Sequence, residues 1–62
     1  MEANKINEML NDGYLVEGIM KNYQQYIDKD QIADDGVCEY EAYRLDGIYV
    51  SKSDMQAAVD LW

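Results

Sequence analysis

The sequence predicts an α+β domain with the element order α-α-β-β-α, and three observations carry that expectation. Apolar residues recur at helical spacing through residues 2–27, Asp46-Gly47 divides two alternating runs, and Ser53 opens a last amphipathic stretch. At 62 residues the chain has room for a single domain, 1–62. Opening on Met1 with no tag or linker, it reads as a whole product.

The first helix is expected from about Glu2 to Asn11, with Ala3, Ile6, Met9 and Leu10 on one stripe. Asn11-Asp12-Gly13 is its stop signal, Gly13 suiting the left-handed position after a helix. A second helix is expected from about Tyr14 to Ile27. Leu15, Val16, Ile19, Met20, Tyr23, Tyr26 and Ile27 would form its apolar face, and Glu17, Lys21, Asn22, Gln24, Gln25 and Asp28 would lie away from it. Tyr23 and Tyr26, with Tyr43, are expected in the core with hydroxyls at its rim. Gly18 inside this helix costs up to about 1 kcal/mol relative to alanine, which a close helix–helix approach would explain. In an alternative reading, Ile6, Met9, Gly13, Val16, Met20, Tyr23 and Ile27 form the heptad seam of one long helix, with Gly13 beside Asp12 as its weak point.

Asp28 to Gly36 reads as an acidic connector. The hairpin that follows should pair Leu45 with Ile48, Arg44 with Tyr49, Tyr43 with Val50, Ala42 with Ser51 and Glu41 with Lys52 across a type I′ turn at Asp46-Gly47. Val37, Tyr43, Leu45, Ile48 and Val50 would face the helices, and a Glu41–Lys52 ion pair would end the ladder. Cys38, Tyr40, Ala42, Arg44, Tyr49 and Ser51 would face outward. The last helix is expected to start at Ser53 as N-cap, with Gln56 at capping-box spacing and Met55, Ala58, Val59 and Trp62 on its stripe.

A chain this short buries only roughly 60% of its unfolded surface, so its core is marginal and a staple is expected. One cysteine and no histidine exclude an internal disulfide and the usual zinc sites. A homodimer through the helices is therefore expected, with no cofactor. Lysine and arginine number 5 against 13 carboxylates, a formal charge of −8. That balance disfavours direct binding of nucleic acid or an anionic membrane and favours a protein partner with a basic surface. No export signal precedes the single thiol, and no apolar run approaches the roughly 20 residues of a membrane span, so a cytoplasmic location is expected.

Catalysis is not expected. There is no histidine for proton transfer, no glycine-rich phosphate loop, and no enclosed pocket to drive carboxylate pKa values apart. A calcium loop beginning at Asp28 fails because Ile32 and Ala33 stand where a ligand and the turn glycine are needed. Binding is better supported. Asp28, Asp30, Asp34, Asp35, Glu39 and Glu41 form an acidic cluster opposed by Lys29 alone. On a strand, Glu39 and Glu41 would stand about 7 Å apart on one face, a repeat comparable to backbone phosphates. Two readings of the cluster are open: mimicry of nucleic acid, or a solvated edge that protects a strand.

Six tyrosines and one tryptophan accompany no phenylalanine, a choice that suits surfaces buried on association. Arg44 is expected to stack on Tyr49. The expected partner-binding residues are Asp34, Asp35, Glu39, Tyr40, Glu41, Arg44, Tyr49 and Trp62. In composition the chain resembles the small acidic inhibitors that bacteriophages and mobile elements use against host or defence enzymes. That resemblance implies a binding inhibitor or regulator; the alternative is an accessory subunit of a larger assembly.

Overall fold

The computed structural model describes residues 1–32 and 36–62. Their order is α1 (Ala3–Asn11), β1 (Val16–Met20), β2 (Tyr23–Ile27), α2 (Lys29–Gln31), α3 (Val37–Glu39), β3 (Ala42–Leu45), β4 (Ile48–Ser51) and α4 (Lys52–Val59). The strands form one antiparallel sheet in the order β2-β1-β3-β4. The domain is thus α+β, but its order is helix, two strands, short helices, two strands, helix.

The expected second helix is a hairpin. Val16 pairs with Ile27, Gly18 with Gln25 and Met20 with Tyr23 around the turn at Lys21-Asn22. The spacing of apolar residues in this stretch fits a helix, but their chemistry fits a strand: Val16, Ile19, Tyr23, Tyr26 and Ile27 are β-branched or aromatic. Pairing with both β2 and β3 also satisfies the backbone of β1 on its two edges. Leu15, Tyr23 and Tyr26, which the helical stripe would have buried, are exposed. The long heptad seam is broken at Gly13, whose φ of 93° ends α1.

Other elements follow the sequence more closely. Helix α1 buries Ile6, Met9 and Leu10. The β3–β4 register pairs Leu45 with Ile48, Arg44 with Tyr49, Tyr43 with Val50 and Ala42 with Ser51. Asp46 and Gly47 both have positive φ, 51° and 79°, as a type I′ turn requires. The ladder ends at Ala42, so the Glu41–Lys52 ion pair is not formed; Lys52 begins α4 and directs its Nζ to the Cys38 carbonyl at 3.5 Å. Ile48, expected inward, is exposed at the turn end of an edge strand. The N-cap of α4 is Ser51, not Ser53: the Ser51 hydroxyl accepts from the Asp54 amide at 3.1 Å.

The described start of the acidic connector is a short helix of its own and not a continuation of a preceding one. Asp28 caps α2 with a reciprocal box, accepting from the Gln31 amide while its own amide donates to Gln31 Oε1. Val37 and Cys38 lie on α3 and not on a strand, Val37 buried and Cys38 exposed.

From the edge strand β2 the chain must pass β1 to reach β3, and the described residues of that passage that join the core lie on the helical side of the sheet. Ile32, Val37 and Tyr40 of this crossing join Ile6, Leu10, Val16, Tyr43, Leu45, Val50 and Met55 in one core. Gly18 makes the crossing possible. A Cβ at Gly18 would stand 2.6 Å from two ring carbons of Tyr40. The Tyr40 ring fills that space, 5.7 Å from the Tyr43 ring centroid, with its hydroxyl 3.3 Å from Gln25 Oε1. It spans the row Tyr43–Gly18–Gln25, which crosses three strands. The Tyr43 hydroxyl donates to the Gly36 carbonyl, which also accepts the Tyr40 amide at 3.2 Å.

Gly18→Ala should lower stability by about 1–3 kcal/mol, because the added methyl must displace a packed ring. A urea titration with an unchanged midpoint would contradict this placement of Tyr40. Burial, with the neighbouring Tyr40, Cys38 and Glu39 adding to it, pushes the Tyr43 hydroxyl well above the ordinary tyrosine value. A group raised on folding gives stability that is complete below its unfolded pKa and is lost as pH rises. Stability should therefore fall above about pH 10, by up to about 1.4 kcal/mol per pH unit from this group. Urea titrations from pH 8 to 11 should show a shallower fall for Tyr43→Phe than for the wild type; equal slopes would contradict the assignment.

Candidate functional site

Strand alternation gives the sheet two unlike faces. The helices and the crossing cover one, which carries Val16, Gly18, Tyr43, Leu45 and Val50. Two rows cross the other: Tyr26–Glu17–Arg44–Tyr49, and beside it Gln24–Ile19–Ala42–Ser51. Among the described residues no helix lies over these rows.

The first row has an ion pair at its centre and an aromatic ring at each end. Arg44 Nη1 donates to Glu17 Oε1 at 2.7 Å, from adjacent strands. The Glu17 side chain is largely covered, while that of Arg44 is 44% exposed, so the carboxylate holds a guanidinium whose remaining donors reach solvent. Tyr26 and Tyr49 are 68% and 63% exposed. Below the row, Tyr14, Leu15, Asp46 and Gly47 help line a shallow concavity of about 600 Å³. Glu41, Lys52 and Gln56 border a second concavity on the side of Tyr49.

The expected contact residues divide among several places. Arg44 and Tyr49 are neighbours on the open face, as the hairpin register predicted, although Arg44 pairs with Glu17 and does not stack on Tyr49. Glu41 is exposed and borders the same region. Glu39 is exposed too, but it ends α3; the strand-borne charge repeat of Glu39 and Glu41 is therefore absent. Tyr40 is a correction: it is 4% exposed and belongs to the core, because its ring fills the gap above Gly18. Burial and the Glu39 carboxylate raise its hydroxyl pKa. Trp62 is exposed on the helical side, where Lys29 Nζ sits 5.1 Å from the ring centroid and bonds Asn11 Oδ1. Asp34 and Asp35 lie outside the described residues.

Glu17, Tyr26, Tyr14 and Leu15 were missed as site residues because they fell within the expected second helix. Their signal was the β-branched and aromatic chemistry of the stretch, together with a glycine at position 18 that a helix disfavours. Among the described residues no group of three or more carboxylates or thiols is placed to hold a metal ion, and no helix is long and apolar enough to cross a membrane. Comparison with protein-family models, curated proteins and solved structures finds no match.

The division between core and surface tyrosines is testable by stability alone. Tyr40→Ala should cost about 3 kcal/mol or more, as loss of a buried aromatic does. Tyr49→Ala should cost less than about 0.5 kcal/mol. Urea titrations giving the reverse order would contradict the assignment of Tyr49 to the surface.

Proposed function

We propose that this chain is a small acidic protein-binding module, not an enzyme, that inhibits or regulates another protein by docking the open face of its sheet on a basic surface. The observation that carries the reading is the uncovered row Tyr26–Glu17–Arg44–Tyr49, with two exposed rings flanking a guanidinium already oriented by a carboxylate. Tyrosine and arginine are the residue types most often found to anchor protein interfaces. The Glu17 contact holds Arg44 extended before binding, which reduces the ordering cost of association. A net charge of −8 complements a basic partner and steers its approach. Recognition rests in the tyrosines and Arg44; Glu39 and Glu41 contribute long-range attraction and not a phosphate-like ladder.

The two roles separate kinetically. With the partner identified by cross-linking in the source cell, Glu39→Gln with Glu41→Gln should slow association by about threefold at low salt and leave dissociation nearly unchanged. Tyr49→Ala or Tyr26→Ala should instead speed dissociation by at least about tenfold. Equal dissociation rates for wild type and both tyrosine variants would refute docking through the open face.

A further inference from the structure

From the free edge of β2 we infer that this chain forms a homodimer, by antiparallel pairing of β2 with β2 of a second copy. β2 is an outer strand of the sheet, and among the described residues no other strand pairs with its outer edge. Its sequence, Tyr23-Gln24-Gln25-Tyr26-Ile27, contains no proline and no charged residue, two of the common devices that keep edge strands from pairing. In a chain of charge −8 this neutrality is what lets a second copy approach here. Two copies repel each other over most of their surfaces, and an edge lacking carboxylates is where they can meet most closely.

Backbone geometry defines the register. The Ile19 carbonyl accepts the Glu41 amide at 2.9 Å, so the polar groups of Ile19 turn toward the β3 side. Alternation then turns those of Val16, Gly18 and Met20 toward β2, where they meet Ile27, Gln25 and Tyr23. The N–H and C=O groups of Gln24 and Tyr26 are left pointing out of the sheet. A twofold axis through Gln25 brings Gln24 of each copy opposite Tyr26 of the other, with two hydrogen bonds at each of these pairs. Centring the axis on Gln24 would call on Asn22, which lies in the turn. Centring it on Tyr26 would call on Asp28, whose amide already donates to Gln31 Oε1.

The same register lays Tyr26 of one copy beside Gln24 of the other, and Tyr23 beside Ile27. It also brings Asn22 in the turn at one end of the strand opposite Asp28 of the second copy. One continuous sheet runs through both copies, and the open face carrying Arg44 and Tyr49 stays free on each. The dimer thus presents that face twice.

Sedimentation equilibrium of the whole chain at increasing concentration should show conversion from the 7.2 kDa monomer to a species of twice that mass. Raising salt should favour the dimer by screening like charges. Amide hydrogen exchange should slow at Gln24 and Tyr26 as the dimer fills, by at least about tenfold. Gln24→Pro, which removes an outward N–H and no bond to β1, should raise the dimer dissociation constant at least about tenfold. Gln24→Lys should weaken the dimer similarly, and it keeps the amide should the proline variant fail to fold. A monomer at every concentration would overturn the inference. So would a dimer in which the Gln24 and Tyr26 amides exchange as fast as in the monomer, or one that Gln24→Lys leaves equally tight.

Discussion

The packing of the Tyr40 ring on Gly18 is the constraint on which the other features rest. A strand at the edge of a sheet can reach a non-adjacent position only by crossing over its neighbour, and β1 lies between β2 and β3. Side chains standing up from β1 would hold such a crossing away from the sheet. With glycine at position 18, the ring of Tyr40 settles onto the backbone and brings the chain down beside Tyr43. The ring also supplies apolar surface that the glycine lacks, and it bridges three strands through its hydroxyl contact with Gln25. In a domain of 62 residues, where few side chains are wholly enclosed, one ring in this position serves as covering layer and strand clamp together.

The sidedness of the molecule follows from that contact. Once the crossing, α1 and α4 occupy one side, the described elements leave the alternate residues of all four strands on the other side open. Polar and aromatic side chains stand there, tied at their centre by the Glu17–Arg44 pair. A pair of this kind, open to solvent on its guanidinium side, contributes only about 1 kcal/mol to stability. Its greater consequence is orientation, because it fixes where the guanidinium can meet a partner. The open edge of β2 has the same origin: among the described residues no strand lies beyond the one that begins the crossing.

The parts of the fold legible in the sequence were those written in local chemistry. Asp46-Gly47 states its turn directly, since few other pairs adopt two positive φ values, and the hairpin register and the placement of Arg44 beside Tyr49 follow from it. Asn11-Asp12-Gly13 ends α1 for a related reason. The stretch from Val16 to Ile27 was misread because its helical spacing arises by coincidence, from a strand with apolar residues on both faces followed by an edge strand with exposed tyrosines. What decides its structure is non-local: a vacancy at Gly18 that the later Tyr40 fills. That partnership also moved Tyr40 from the expected contact surface to the core, which residue type alone does not reveal.

Nuclear Overhauser contacts in the isolated protein test this account most directly. Cross-peaks between the Tyr40 ring protons and the Gly18 α protons are predicted, together with strong sequential α-proton to amide contacts through residues 16–20 and 23–27. Helical contacts between residues three apart in that stretch, with no contact between Tyr40 and Gly18, would contradict it.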